Sequence, residues 1–103
     1  MSEDQKKYKV VVHDDAAAML YSHVRFLANV SASAARKLRT MLWDAFASLE
    51  SFPYRCPVYA SRRTLKAYRQ LIIGRYKVIF SISEEESAVY VHYILDSRQD
   101  HDF

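Results

Sequence analysis

The chain has 103 residues, half of them apolar, with one glycine, two prolines and one cysteine. That length fits one compact domain, residues 1–103, and excludes a second; the composition excludes disorder, collagen-like repeats, an internal disulfide and a cysteine-based zinc site. The formal charge of +3 is too small by itself to define a class of partner.

Residues Met1 to Tyr8 are polar, with no apolar leader, and no run reaches the roughly 18 apolar residues a membrane helix needs. The expectation is a cytoplasmic protein with no membrane partner. Tyr8-Lys9-Val10-Val11-Val12-His13 is short and β-branched and reads as a strand. Asp14 or Asp15 then caps a helix, with both charges suited to the positive end of its dipole. Ala17, Leu20, Val24 and Leu27 recur at spacings of three and four, one face of a helix ending near Val30. Ser31 or Ser33 caps a second helix with the stripe Leu38, Leu42, Ala45, Leu49 and Phe52, stopped by Pro53. Only a few residues join the two helices, so their stripes pair them as an antiparallel hairpin.

Residues 53–64 lack periodicity and read as a loop. Three strand-like runs follow: Leu65 to Ile73, Tyr76 to Ile82, and Val89 to Leu95. Gly74-Arg75 forms the first turn and Glu84-Glu85-Glu86 the second. In the middle run Tyr76, Val78, Phe80 and Ile82 share one face, and Lys77, Ile79 and Ser81 the other. The first face covers the helices and the second points away. Tyr76 and Tyr93 fall in phase with apolar neighbours and read as core; Tyr90 and His92 share the opposite face of the last strand. The expected fold is α+β: an antiparallel sheet packed against an N-terminal helical hairpin, in the order β-α-α-β-β-β.

Charge is unevenly spread. Residues 53–82 hold seven basic side chains and no acid, whereas residues 83–103 hold six acids and one base. Such a run is either a solvated basic face or a site for a polyanion or an acidic protein. His13, His23, His92 and His101 are scattered, with no metal-ligand spacing. Trp43 lies off the second helix's stripe, either at the core edge or in an apolar patch. Cys56 has no evident catalytic partner.

The run Tyr68-Arg69-Gln70-Leu71-Ile72-Ile73-Gly74-Arg75-Tyr76-Lys77-Val78-Ile79-Phe80, with the closing Val89-Tyr90-Val91-His92-Tyr93-Ile94-Leu95-Asp96-Ser97-Arg98-Gln99-Asp100, resembles the RelE/ParE superfamily of toxins from bacterial type II toxin–antitoxin modules. The resemblance implies a toxin neutralised by a cognate antitoxin. RelE-like and YoeB-like members cut messenger RNA in the ribosomal A site; ParE-like members inhibit DNA gyrase and need no nuclease residues. The leading expectation is a ribosome-dependent mRNA endoribonuclease acting on ribosome-bound messenger RNA, without metal or cofactor. The alternatives are a gyrase inhibitor with no catalysis and a non-toxic member that only binds antitoxin.

Attack by an RNA 2′-hydroxyl needs a base, cations to offset charge at phosphorus, and an acid for the leaving 5′ oxygen. The resemblance places Lys77 where nuclease members have an arginine on the scissile phosphate; otherwise Lys77 is an exposed sheet lysine. Arg98 matches the family's C-terminal arginine and would offset the developing phosphorane charge, or else pairs with Asp96 or Asp100. His101 is the acid–base candidate, three residues after Arg98 in the tail Arg98-Gln99-Asp100-His101-Asp102-Phe103, one residue off the YoeB-like spacing; otherwise it belongs to a frayed terminus. Arg69 and Arg75 would meet a polyanion on the sheet face of Lys77, with Arg62, Arg63 and Lys66 extending that surface.

Overall fold

The computed structural model describes residues 6–59 and 67–96. In chain order the elements are β1 (Lys9–Val12), α1 (Asp14–Ala28), α2 (Ala32–Ser48), a 3-10 turn (Pro53–Arg55), β2 (Val58–Tyr59), β3 (Tyr68–Ile73), β4 (Tyr76–Ser83) and β5 (Ala88–Asp96). The strands form one sheet in the order β1-β5-β4-β3-β2. The α+β architecture with a helical hairpin on one sheet face is therefore the observed one. It differs from the sequence expectation in two ways. The sheet is mixed, because β1 lies parallel to β5, pairing Val10 with Val89 and Val12 with Val91. It also gains β2, two residues paired with the start of β3 inside the stretch expected to be loop.

The hairpin forms for the reasons its spacing implies. The Ser31 hydroxyl accepts a hydrogen bond from the Ala34 amide at 3.1 Å and caps α2. The cap of α1 is His13 rather than an aspartate; Asp14 and Asp15 occupy its first turn, where the dipole favours them. Leu38, Leu42, Ala45 and Leu49 are buried, but the stripe stops there. Helix α2 ends at Ser48, and Phe52 turns outward with φ of 49°. Arg55 braces the chain beyond that end: its guanidinium donates to the Ser51 carbonyl at 2.8 Å and the Ser48 hydroxyl at 3.0 Å.

The core lies between the hairpin and one sheet face. Leu20, Leu38, Leu42 and Phe46 meet Val78, Phe80, Val89, Val91 and Ile94. Each fully buried aliphatic side chain contributes about 1.5–3 kcal/mol relative to leaving it in water. Gly74, with φ of +59°, makes the tight β3–β4 turn. The β4–β5 turn is fastened to the helix side through Glu84, whose carboxylate accepts from the hydroxyls of Tyr8 and Tyr54, each at 2.6 Å, and from Lys6. These donors, Lys6 first, hold the Glu84 carboxyl down to about 2.

Candidate functional site

The sheet face turned away from the helices is built by alternation and one irregularity. On β4, Lys77, Ile79 and Ser81 lie on the face away from the helices, Ile79 fully buried there, while Val78 and Phe80 enter the helix-side core, as the pattern predicts. On β5 the alternation breaks. Phe80 pairs with Val91 but Ile79 pairs with Tyr93, so His92 is an extra residue in the backbone register of the strand pair. This is a β-bulge. It resets the phase: Val91 and Ile94 both face the helices, and His92 and Tyr93 both face out. Tyr93 is thus not in the helix-side core expected from counting by two. Tyr76 is, buried against the hairpin.

His13 leaves the end of β1, its amide bonded to the Val91 carbonyl at 2.9 Å, and brings its ring to the same face. The His13 and His92 rings stack with centroids 5.0 Å apart and planes 25° apart. Tyr68 lies 5.2 Å from His92 on the other side, and Tyr90 lies 6.1 Å from His13. The Ser81 hydroxyl sits 2.8 Å from His92 Nε2 and fixes the plane of that ring. Lys77 pairs across with Ile72 and Leu95, which places it on this face, two residues along β4 from Ile79. Its ammonium lies 6.0 Å from the centre of the Tyr59 ring. The outcome is a continuous path of imidazole and phenol rings with one lysine beyond its end.

The structure does not bring Arg69 or Arg75 to Lys77. Arg69 pairs with Phe80 and therefore stands on the helix side of the sheet. There its guanidinium donates to the Cys56 carbonyl at 2.6 Å and stacks 5.0 Å over the Tyr54 ring. Arg75 folds back over Tyr76 and pairs with the buried Asp96 at 3.7 Å, also on the helix side. The common anion surface expected for Arg69, Arg75 and Lys77 is corrected accordingly: two of the three serve the fold. Asp96, expected as a possible partner of Arg98, has Arg75 beside it. Arg62, Arg63, Lys66, Arg98 and His101 lie outside the described residues. The thiol of Cys56 is buried, and that burial pushes its pKa up, which makes it a poor nucleophile.

Sequence reasoning placed His92 on the outer face but missed its company. The position of His13 immediately after a strand was visible; that β1 would lie beside β5 was not. Among the described residues, no group of three or more His, Cys, Asp or Glu could hold a metal ion. None of their helices is long and apolar enough to cross a membrane.

On the helix side, an open groove of about 280 Å³ is lined by Leu20, Tyr21, Val24, Arg39 and Trp43. Trp43 rests edge-on against Phe46 at 5.2 Å and is half exposed, as is the neighbouring Met41. Tyr21 is more exposed still. Tyr21, Val24 and Trp43 thus lie together along this groove, on the outside of the hairpin.

The family model described as the ParE toxin of the type II toxin–antitoxin system, parDE, matches residues 10–101. Among solved structures, the chain is similar to the toxin–antitoxin complex RelBE2 from Mycobacterium tuberculosis. The TM-score is 0.66 at 20% identity, over 92% of this chain and 97% of that one. At that identity the likeness concerns the fold. No curated protein matches the chain.

Proposed function

We infer that this chain, which belongs to the ParE toxin family of type II toxin–antitoxin systems, stops growth by cutting messenger RNA on the ribosome. The observation that supports this is the outer sheet face, where Lys77, two imidazoles and several tyrosine rings share one side of the sheet. Rings of that kind stack on unpaired bases, and a lysine beside them offsets phosphate charge. In this reading Lys77 contacts the scissile phosphate as a point charge, without the bidentate fork of an arginine. Arg98 offsets the charge that develops at phosphorus, and His101 moves a proton. Arg62, Arg63 and Lys66 hold the RNA backbone. Arg69 and Arg75 take no part. The reaction requires neither metal nor cofactor, since the substrate supplies its own nucleophile. Mapping 5′ ends on translating messenger RNA tests the reading: new ends within codons at the A site are expected, and intact transcripts would overturn it.

A second reading is inhibition of DNA gyrase by binding alone. The internal use of Arg55, Arg69 and Arg75 supports it, because it thins the cationic surface a nuclease needs. The ParE description of the matched family points the same way. Supercoiling by purified gyrase at toxin excess separates the two. In both readings the protein works in the cytoplasm and is held inactive by a cognate antitoxin. The groove at Trp43, Tyr21 and Val24, with Arg39 at its side, suits an apolar helix carrying acidic residues.

A further inference from the structure

Cleavage by a 2′-hydroxyl needs two proton-transfer groups, one to take the 2′ proton and one to protonate the leaving 5′ oxygen. Lys77 and Arg98 are cations, and His101 accounts for one group only. We propose that His92 is the second, with Ser81 and His13 as the residues that position it. This rests on the endoribonuclease reading above and adds a catalytic residue to it.

Three observations converge on His92. His92 follows the core residue Val91 and so faces outward, at the point where β5 bulges. The Ser81 hydroxyl, 2.8 Å from Nε2, sets the ring plane from the neighbouring strand β4. The His13 ring, stacked at 5.0 Å, blocks the ring from swinging toward β1. A proton-transfer group held by a third residue is the arrangement that acid–base catalysis favours. A bulge is also a common device for aiming a functional side chain. Lys77 stands on the same face, two residues below Ile79, the partner of Tyr93.

The step balances without a co-reactant. The 2′ oxygen loses its proton to one imidazole and bonds to phosphorus. The bond from phosphorus to the 5′ oxygen breaks, and that oxygen takes a proton from the other imidazole. The products are a 2′,3′-cyclic phosphate and a 5′-hydroxyl. Among the described residues, the titratable groups around His92 include His13 from the end of β1, Tyr68 from β3, and Tyr90 and Tyr93 on its own strand. Glu86 in the β4–β5 turn bonds the Tyr90 hydroxyl, and Lys77 lies farther along β4. Imidazole exchanges protons near neutral pH, the range in which ribosomes work.

The test is the pH profile of ribosome-dependent cleavage by the full chain and by His92→Gln, with circular dichroism to confirm that the variant folds. The expected result is a fall of about 10²–10⁴-fold and the loss of one limb of the profile. Ser81→Ala keeps the imidazole and disturbs only its position; a smaller fall with a displaced limb is expected. A folded His92→Gln that cuts at the rate of the unaltered chain, or that is slow with both limbs intact, overturns the proposal and leaves the endoribonuclease reading standing. If the unaltered chain cuts nothing, both fall together.

Discussion

Arg69 on β3 and Lys77 on β4 stand on opposite faces of one sheet. Arg69 shares its face with Phe80 and reaches the Cys56 carbonyl at 2.6 Å; Lys77 shares its face with Ile72 and Leu95. Two cations eight positions apart in an acid-free run therefore have different work. The first clamps the 53–57 loop onto the sheet, and the second stands on the outer face, where the proposed function uses it.

Substituting them should separate stability from activity. Arg69→Ala removes a charged donor from a carbonyl, a loss worth about 1.5–3 kcal/mol. Urea unfolding should show a lower midpoint for it. Lys77 is only partly buried, on the outer sheet face, so Lys77→Ala should unfold as the unaltered chain does and lose toxicity on induction. A Lys77→Ala chain that is both unstable and toxic would reverse the assignment.

Adjacent residues on α2 divide in the same way. Leu42 is fully buried and Trp43 is half exposed at the groove. Leu42→Ala should cost about 2–5 kcal/mol, the range for an emptied core leucine. Trp43→Ala should leave the unfolding midpoint nearly unchanged and weaken capture of the antitoxin. Co-purification of each variant with the protein encoded beside it measures the second effect.

Glu84 makes stability depend on acid. Its carboxyl is held near 2 in the folded chain, below the ordinary carboxylate value near 4.5. A depressed folded-state pKa stabilises the fold fully above the unfolded value, and the contribution is lost as pH falls from about 4.5 toward 2. Thermal unfolding between pH 6 and pH 2 should therefore lose less in Glu84→Gln than in the unaltered chain. Equal losses would show that the Lys6, Tyr8 and Tyr54 contacts do not persist in solution.

Much of this fold is legible before any coordinates. The three-and-four spacing of Leu38, Leu42, Ala45 and Leu49, with Ser31 ahead of it, marks a capped helix. The alternation from Tyr76 to Ile82 marks a strand with a helix face and an outer face. Phe52 continues the helical spacing yet lies outside the helix, which ends at Ser48; directly before Pro53 it adopts a left-handed φ of 49°. Periodicity does not register such a backbone turn. Tyr93 departs from the sequence expectation for a related reason. Counting by two assumes an unbroken ladder, and one inserted residue at His92 reverses every assignment after it. The directions of Arg69 and Arg75 were hidden because their partners, the Cys56 carbonyl and Asp96, lie 13 and 21 positions away in sequence. Charge density in a sequence therefore did not distinguish an arginine that binds a ligand from one that holds a loop.

Gly74 offers a check on the β3–β4 turn alone. Its φ of +59° lies in the left-handed region, and a methyl group there would meet open space. Gly74→Ala should thus cost only the backbone strain, about 1–2 kcal/mol. A larger loss on chemical unfolding would mean that the turn packs against something in solution.

The most direct test of the outer face as the working surface is 5′-end mapping of messenger RNA on ribosomes challenged with the unaltered chain and with Lys77→Ala. Cleavage within codons at the A site by the first, and its loss in the folded second, is the expected result. Transcripts left whole by the unaltered chain, while it blocks supercoiling by purified gyrase, would contradict it.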